Sequence, residues 1–397
     1  MLKKIKAQVF LFSFVALITG CQHISKSSEA PSTLNGDGVT ITNSSGATVT
    51  HPMPSAFNLV PRGIDYSTPP EVVAFDSCAN QDAPQPLWTV IGKHSPDLFI
   101  FDGDTVYASA PEQRPVAEQY KKLSKIPEYR AFREAVPFMA MWDDHDSGQN
   151  DSGADNPEKD LYKKEFLKHF PYIKDSISWN QGGLYHVKYI GGNTTTAASR
   201  RRKQRILKKQ PLLQVIMLDT RYFRSPLKLA DDPKNPLHRY DPWDEKDKTK
   251  TILGAEQWAW LEEQLQKPAD LRMIVSGIQV IAKDHGFEKW GNFPGERQRL
   301  FDLIKKYGDH KTVIISGDRH IGTIAKVDLP GYGPIFDITA SSINRSKDFE
   351  ETDTNYVGKV ISSDNFGLAL IDWKKRRIKL ELRDAQDQVG NSVEFKF

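Results

Sequence analysis

The sequence predicts an α/β (α+β) domain in which two mixed β-sheets pack together with helices on their outer faces. Several continuous apolar runs are typical of strands that are covered on both faces. Helical patterns lie between these runs, and consecutive strand-like segments follow them towards the C-terminus. Such an alternating portion followed by a strand-rich portion fits two packed mixed sheets.

The individual elements follow from the same patterns. Buried strands are predicted at residues 72–75, 97–101, 136–141, 212–218, 272–281 and 311–316. One-sided apolar spacing predicts helices at residues 255–265 and 300–307. Further strands are expected at residues 184–190, 333–341, 365–373 and 377–384.

Residues 1–20 are predicted to be a signal peptide, because three lysines precede an apolar stretch too short to span a bilayer. The stretch ends in Ile-Thr-Gly before Cys21, which resembles a bacterial lipobox and makes Cys21 the predicted lipidation site. The alternative is an ordinary signal peptide that happens to end at a cysteine. Residue 22, directly after the cysteine, is Gln rather than the Asp that would keep a lipoprotein from the outer membrane. We therefore expect a lipid-anchored bacterial envelope protein. Its expected place is the outer membrane, facing the periplasm or the cell surface.

The mature chain divides into a tether and a domain. Residues 21–55 are rich in Ser, Thr, Asn and Gly, which predicts a lipidated flexible tether, and residues 56–397 are predicted to form one domain. Residues 1–20 hold three lysines and no acid, so their removal brings the formal net charge from +3 to zero. We therefore expect no nucleic-acid reader, and no obligate protein partner is expected. The basic segment from Arg200 to Lys209 is either an attraction site for anionic lipid or a solvated hairpin tip.

Three clusters of acids and imidazoles lie directly behind predicted strands. They are FDGDTVY (residues 101–107), MWDDHDSGQND (141–151) and SGDRH (316–320). Carboxylates at the end of a buried strand repel one another and lose hydration, so they need a compensating cation. Since sites in such sheets lie at strand ends, the clusters are expected to meet at one rim and to bind metal.

Residue types within the clusters indicate roles. Gly103 allows a sharp turn after which Asp104 points into the site, and Tyr107 offers a phenolate to a trivalent metal such as iron. Asp318 and His320 are expected to alternate as in an extended segment, so that both face the same side. A turn aspartate and a core histidine are the structural alternatives.

The WDDHD segment offers more ligands than one turn can point inward, so some of its acids must be structural. The segment can equally be a helix start. Asn150 and Asp151 follow it and supply oxygen ligands of the kind that calcium accepts. Cys78 has no intrachain partner if Cys21 is lipidated, and the simplest interpretation of it alone is a small buried core residue.

Several segments occur in the order seen in PhoD-like alkaline phosphatases and phosphodiesterases, a family of the metallophosphatase superfamily. The segments are FDSCANQ, PDLFIFDGDTVY, WDDHDSGQND, MLDTRYFR, FEKWGNFPGER, SGDRH and NFG. The resemblance extends from Glu71 to the C-terminus. It implies a metallophosphatase-like four-layer αββα sandwich, a lipoprotein form of the family here, and a centre of iron(III) and calcium that holds the phosphate of a phosphoester substrate.

The resemblance also implies roles for individual residues. Cys78 stands where the family places a thiolate on iron, and Asp104 matches the bridging carboxylate. The implied metal ligands are Cys78, Asp104, Tyr107, Asp144, Asn150, Asp318 and His320. Gln149 is the neighbouring alternative to Asn150. Asp104, His145 and His320 are expected to act in catalysis, with His145 orienting a ligand or protonating the leaving oxygen, and Arg221 is expected to bind substrate.

One position departs from the family pattern. A calcium-binding aspartate follows the tryptophan of the FEKWGN segment in the family, whereas Gly291 follows Trp290 here. Glycine offers no carboxylate, so Glu288, Asn292 or Asp284 is expected to substitute from nearby.

The expected function is metal-dependent hydrolysis of phosphate esters, in which a metal-bound hydroxide attacks phosphorus in line. Monoesters and diesters are both plausible substrates. The alternative is a catalytically weak surface lipoprotein that uses the same fold to bind an anionic partner. A nucleotide-binding α/β protein is excluded because no glycine-rich phosphate loop follows a predicted strand.

Overall fold

The computed structural model describes residues 38–42, 48–52, 59–108, 114–192, 210–232, 234–308, 311–347 and 351–397. The chain divides into two units, Met1–Asn58 and Leu59–Phe397. In the first unit, β1 (Gly38–Thr42) and β2 (Thr48–Pro52) pair antiparallel within the predicted tether. The predicted signal peptide, the lipidation site Cys21 and the basic segment lie outside the described residues. Of the described helices, none combines the length and apolar character needed to cross a bilayer.

The second unit contains the predicted α/β domain. Its strands are β3 (Val72–Asp76), β4 (Leu98–Phe101), β5 (Phe138–Ala140), β6 (His186–Gly191), β7 (Leu212–Leu218), β8 (Lys228–Leu229), β9 (Tyr240–Asp241), β10 (Leu271–Ser276), β11 (Thr312–Ser316), β12 (Thr323–Leu329), β13 (Gly333–Thr339), β14 (Asn365–Asp372), β15 (Arg377–Asp384) and β16 (Val389–Lys396). Its helices are α1 (Leu87–Gly92), α2 (Val116–Leu123), α3 (Pro127–Ala135), α4 (Asp144–Ser147), α5 (Lys159–His169), α6 (Gly254–Gln266) and α7 (Pro294–Tyr307). Short 3₁₀ turns cover Pro171–Asp175 and Trp290–Asn292.

Two six-stranded mixed sheets form the centre of the domain, which confirms the predicted fold class. The first sheet has the order β16-β15-β14-β3-β4-β5, and the second has the order β12-β13-β11-β10-β7-β6. Strands β3, β4 and β5 run parallel to one another, as do β7, β10 and β11. The carboxyl ends of parallel strands meet at one edge, so each sheet delivers its strand-end residues to a common rim.

Alternating side chains divide the core into layers. On β7, Val215 and Met217 belong to the core shared by the two sheets, whereas Ile216 and Leu218 pack against α6 and α7. Successive residues of a strand face opposite sides, so the second sheet is covered on both faces. On the first sheet, Trp88 of α1 lies edge-on to Phe99 of β4, with ring centroids 5.2 Å apart. The layers are therefore helices, sheet, sheet and helices.

The predicted strand at residues 272–281 is shorter than expected, because β10 ends at Ser276. The apolar residues beyond it remain buried but leave the ladder. The backbone N–H groups of Val280 and Ile281 donate to Asp337 Oδ2, at 2.7 and 2.9 Å, instead of to a neighbouring strand. A buried carboxylate thus replaces sheet pairing, which apolar periodicity alone does not reveal.

Candidate metal centre

Residues from both sheets meet at the carboxyl ends of the parallel strands. Cys78 follows β3, Asp104 follows β4 and His320 follows β11, and ligand atoms of these three lie within 4.8 Å of one another. A second group of the same closeness comprises Asp104, Asp144 and His145, and a third comprises Asp143, Asp144 and Asp318. Because Asp104 belongs to the first two groups, it lies where a single carboxylate can serve both.

Four of these residues have left-handed backbone conformations. The φ angles are 61° at Cys78, 50° at Asp104, 70° at Asp318 and 60° at His320. Such angles cost a residue other than glycine about 1 to 3 kcal/mol and cluster at functional sites. The expectation that Asp318 and His320 lie in an extended segment is wrong. Their side chains reach the site through consecutive tight turns after β11.

The Cys78 thiol is fully buried beside acidic and hydroxyl groups. Its Sγ lies 3.7 Å from Asp104 Oδ2 and 3.2 Å from Ser341 Oγ. Burial and the charge of Asp104 raise the pKa of Cys78 well above its ordinary value. Burial and the charge of Asp104 also raise the pKa of the Tyr107 phenol well above its ordinary value. Its buried hydroxyl makes no well-formed hydrogen bond among the described residues.

The carboxylates of the centre lack enough positive charge to balance them. Burial raises the pKa of Asp104 well above its usual range, and the charges of Asp144 and Asp143 add to this effect. Burial raises the pKa of Asp318 to about 7, although Arg319 acts in the opposite direction. Clustered buried acids of this kind either bind protons or bind a cation. A thiol, a phenol, carboxylates and imidazoles form a donor set that fits metal ions.

His320 is oriented by a backbone carbonyl. Its Nδ1 contacts the Arg345 carbonyl oxygen, which can only accept a hydrogen bond, so Nδ1 carries the proton. This leaves Nε2 with a free lone pair. An imidazole held in this tautomer by its second nitrogen is typical of metal-ligating histidines.

The WDDHD segment separates into structural and site-facing residues. Asp146 accepts the backbone N–H groups of Thr105 and Asp143, each at 3.0 Å, and the Tyr120 hydroxyl at 3.1 Å. It therefore ties α4 to the loop after β4. Asp144 and His145 face the site, and the His145 N–H donates to Asp104 Oδ1 at 3.3 Å.

Arg221 lies beneath the site and contacts protein carboxylates, so the expectation that it binds substrate does not agree with its surroundings. Its Nε and Nη2 donate to Asp143 at 2.5 and 2.7 Å, and its Nη1 donates to Glu288 at 2.6 Å. Arg224 Nε lies 2.8 Å from the second oxygen of Glu288. Only 1% of the Arg221 side chain is exposed, so its guanidinium group bonds to these carboxylates and does not face solvent.

A narrow cleft of about 60 Å³ opens above the centre. Its lining includes Asp144, Asn150, Asp151, Asp318 and His320. Asn150 is exposed, and its amide donates to Asp151 Oδ2 at 2.7 Å. The neighbouring alternative, Gln149, is not among the described residues that line the cleft. A larger cavity of about 670 Å³ lies between α1, α3 and residues 62–70 and contains none of the candidate ligands.

Position 291 does not face this cleft. A Cβ built on Gly291 would meet the backbones of Lys283 and Ala282 at 3.1 and 3.2 Å. Of the three expected substitutes, Glu288 lines the cleft, whereas Asp284 accepts hydrogen bonds from Thr354. Asn292 accepts one from the Lys289 backbone.

Two stacked mixed sheets with a metal-ligand cluster at their carboxyl ends define a metallophosphatase-like protein. The chain belongs to the PhoD-like phosphatase family, whose model matches residues 73–386. Membership of this family implies metal ions at the site. It accounts for the order of the segments that the sequence shares with PhoD-like proteins.

Individual relatives agree with this assignment. The chain is 22% identical over 319 residues to alkaline phosphatase D of Bacillus subtilis (strain 168), a match that covers 69% of this chain and 48% of the relative. The chain therefore spans about half the length of this curated relative.

Solved structures show the same fold. A structure of PhoD matches with a TM-score of 0.61 at 15% identity and covers 85% of this chain and 70% of that chain. Purple acid phosphatase PPD1 from yellow lupin (Lupinus luteus) seeds matches with a TM-score of 0.53 at 12% identity. That match covers 90% of this chain and 58% of the lupin chain.

Proposed function

We propose that this chain hydrolyses phosphate esters with metal ions bound at the centre described above. The observation that carries the proposal is the sharing of Asp104 between two ligand groups, one with Cys78 and His320 and one with Asp144 and His145. A shared carboxylate allows two ions to lie close together, which suits in-line displacement at phosphorus. Membership of the PhoD-like phosphatase family supports this assignment.

We infer that the two sides of the centre favour different ions. Cys78, Asp104, Tyr107 and His320 offer a thiolate, a carboxylate, a phenolate and an imidazole, a set that suits iron(III). Asp144, Asn150 and Asp318 offer oxygen atoms, which calcium prefers. Asp151 lines the same cleft and adds a further oxygen ligand on this side.

The protein's own residues would position the substrate and move protons. When bound, the ions would neutralise the phosphoryl oxygens and activate water. Asp104 belongs to both ligand groups and so fixes their relative position. The turns at Asp318 and His320 fix the side chains of these two residues before substrate binds. Burial lowers the pKa of His145, which favours the neutral imidazole. In that form the ring can orient a ligand by a hydrogen bond or accept a proton, whereas protonation of the leaving oxygen would require the imidazolium.

The proposal is tested by metal analysis together with hydrolysis of p-nitrophenyl phosphate and bis-p-nitrophenyl phosphate. Protein purified from its native compartment should contain iron and calcium, and chelation should abolish hydrolysis until both metals are restored. Activity that resists chelation, or no activity after loading with both metals, would contradict it.

A substitution of Cys78 separates a ligand from a core residue. Cys78→Ser is expected to lower the iron content while the far-UV circular dichroism spectrum stays that of the wild type, because the side chains are similar in volume. As a control, Ser77→Ala removes a hydroxyl neighbour of the thiol, 3.4 Å from the sulfur, and should retain iron. Unchanged iron content in Cys78→Ser would show that the thiol is not a ligand.

We further propose that the chain acts at the bacterial envelope through an acyl chain on Cys21. The support is the lipobox-like sequence before that cysteine. Cys21→Ser should move the protein from the membrane fraction to the soluble fraction. The alternative of an inactive anion-binding lipoprotein rested on Gly291 and on the basic segment from Arg200 to Lys209. Gly291 faces Ala282 and Lys283 rather than the cleft, and the basic segment lies outside the described residues, so no described residue favours this alternative.

A further inference from the structure

Two basic residues of the loop after β13, Arg345 and Lys347, lie beside the candidate metal ligands. The Arg345 guanidinium carbon lies 3.8 Å from the centroid of the Tyr107 ring, and Lys347 lines the cleft with Asp318 and His320. Both backbones bond to His320: its Nδ1–H donates to the Arg345 carbonyl, and the Lys347 N–H donates to the His320 carbonyl at 3.3 Å. The backbones that carry the two cations are therefore fixed relative to the candidate metal ligands.

Neither cation is neutralised within the part of the chain that the structure describes. No described carboxylate forms a salt bridge with Arg345 or Lys347, whereas Arg221 and Arg319 are each bound by carboxylates. Arg345 is half-buried and Lys347 is exposed. Their charges are thus available to an anion that enters from solvent.

The size of the cleft determines which part of a substrate meets these cations. At about 60 Å³, it accommodates the phosphoryl group under attack and leaves the remainder of the substrate on the rim. Guanidinium and ammonium groups form charge-assisted hydrogen bonds with phosphate oxygens. Two such groups beside the cleft favour a substrate that is also anionic beyond its scissile phosphorus.

We propose that Arg345 and Lys347 form a second phosphate subsite, so that the favoured substrates carry another phosphate group close to the scissile one. This inference rests on the proposed phosphoester hydrolysis and specifies its substrate class. The second phosphate can belong to a diphosphate or to a phosphodiester-linked chain that ends in a phosphomonoester. Both sources share the chemistry that the two cations recognise.

The subsite is tested with three substrates that share one nucleoside. AMP carries one phosphate, ADP carries a second through an anhydride, and a 5′-phosphorylated adenosine dinucleotide carries a second through a diester. The metal-loaded full chain is compared with Arg345→Gln and Lys347→Gln. Arg345→Lys serves as the conservative variant, and Lys164→Gln, an exposed lysine of α5, serves as the matched control.

Loss of one charge-assisted hydrogen bond corresponds to about a tenfold change in affinity. Arg345→Gln and Lys347→Gln should each lower the kcat/KM of ADP or of the dinucleotide, relative to AMP, by about tenfold. The change should appear mainly in KM, since the subsite holds substrate and transition state alike. Arg345→Lys should recover most of the preference, and Lys164→Gln should keep the wild-type ratio.

The outcomes distinguish failure of the second phosphate subsite from failure of the proposed phosphoester hydrolysis. A selective loss for ADP assigns the subsite to diphosphates, and a selective loss for the dinucleotide assigns it to phosphodiester chains. Equal losses for all three substrates, or a wild-type enzyme without preference over AMP, would overturn the subsite and leave the proposed function standing. A wild-type protein that cleaves none of the three, nor p-nitrophenyl phosphate, would instead contradict the proposed function.

Discussion

Replacement of Arg221 by Met is expected to destabilise the domain strongly. The substitution leaves Asp143 without a guanidinium partner and leaves Glu288 with Arg224 alone, and each of these carboxylates is 1% exposed. Breaking a buried ion pair by removing one partner costs about 3 to 5 kcal/mol, because the remaining charge is left in a poorly solvating interior. Unfolding entropy of ~2.1 cal/mol/K per residue over Leu59–Phe397 converts a loss of about 4 kcal/mol into a fall in Tm of about 6 °C.

The assay is thermal and urea unfolding of metal-free protein, so that the carboxylate network is measured apart from ion binding. Arg221→Lys should recover part of the loss, since it keeps the charge but not the two-pronged contact with Asp143. Arg377→Met is the matched control, because its pair with Glu394 is exposed and worth at most about 1 kcal/mol. An Arg221→Met protein with wild-type Tm and a raised KM would refute this reasoning and restore Arg221 as a substrate-binding residue.

Three further results are expected. His186 is buried, its Nδ1 bonds the Leu184 carbonyl, and burial lowers its pKa to about 4. The neutral ring therefore contributes stability that is present above the unfolded pKa of about 6.5 and is lost as the pH falls towards the folded pKa. Between pH 7 and pH 5 the wild type should lose about 2 kcal/mol more unfolding free energy than His186→Gln. Gly367→Ala should cost about 1 to 3 kcal/mol in urea unfolding, because its Cβ would overlap the buried Phe75 ring, and an unchanged midpoint would show that this ring can move. Chelation should lower the unfolding free energy by about 2.7 kcal/mol for each ion that had been in hundredfold excess over its Kd, and identical melting curves with and without chelator would argue against bound metal.

Much of the fold was predictable because the central strands of both sheets are buried on two faces. Continuous apolar runs located β3, β4, β7 and β11, and residues 377–384 were predicted with the bounds of β15. The short helices α1 to α3 were not predicted, since each spans at most nine residues and so falls short of the length over which apolar spacing identifies a helix. Strand β16 was also missed, and its alternating exposed residues give only a weak signal at the edge of a sheet.

The site was predictable in its residue types but less so in its geometry. Asp104, Tyr107, Asp318 and His320 follow apolar strands, and that position indicated a common rim. The left-handed turns at Asp318 and His320 were not predicted, because sequence gives little sign of a positive φ at residues other than glycine. Nor could the sequence show that Arg221 neutralises Asp143 across 78 positions of chain. Such a pairing depends on tertiary contacts alone.

Counter-charge separates the buried acids of the site into two kinds. Asp143 and Glu288 are balanced by arginines, so their role is to hold the floor of the site in place. Asp104 forms no salt bridge with a described residue, and Asp318 forms only a long one, at 3.6 Å from Arg319, so their oxygens are available to metal ions.

The loop after β13 has the opposite arrangement, with the cations of Arg345 and Lys347 outside salt-bridge distance of any described carboxylate. If these cations reached the acids beneath them, both sets would be neutralised and neither would bind a ligand. Their separation therefore keeps the acids available to metal ions and the cations available to an anionic substrate, which is the pairing that phosphate chemistry requires.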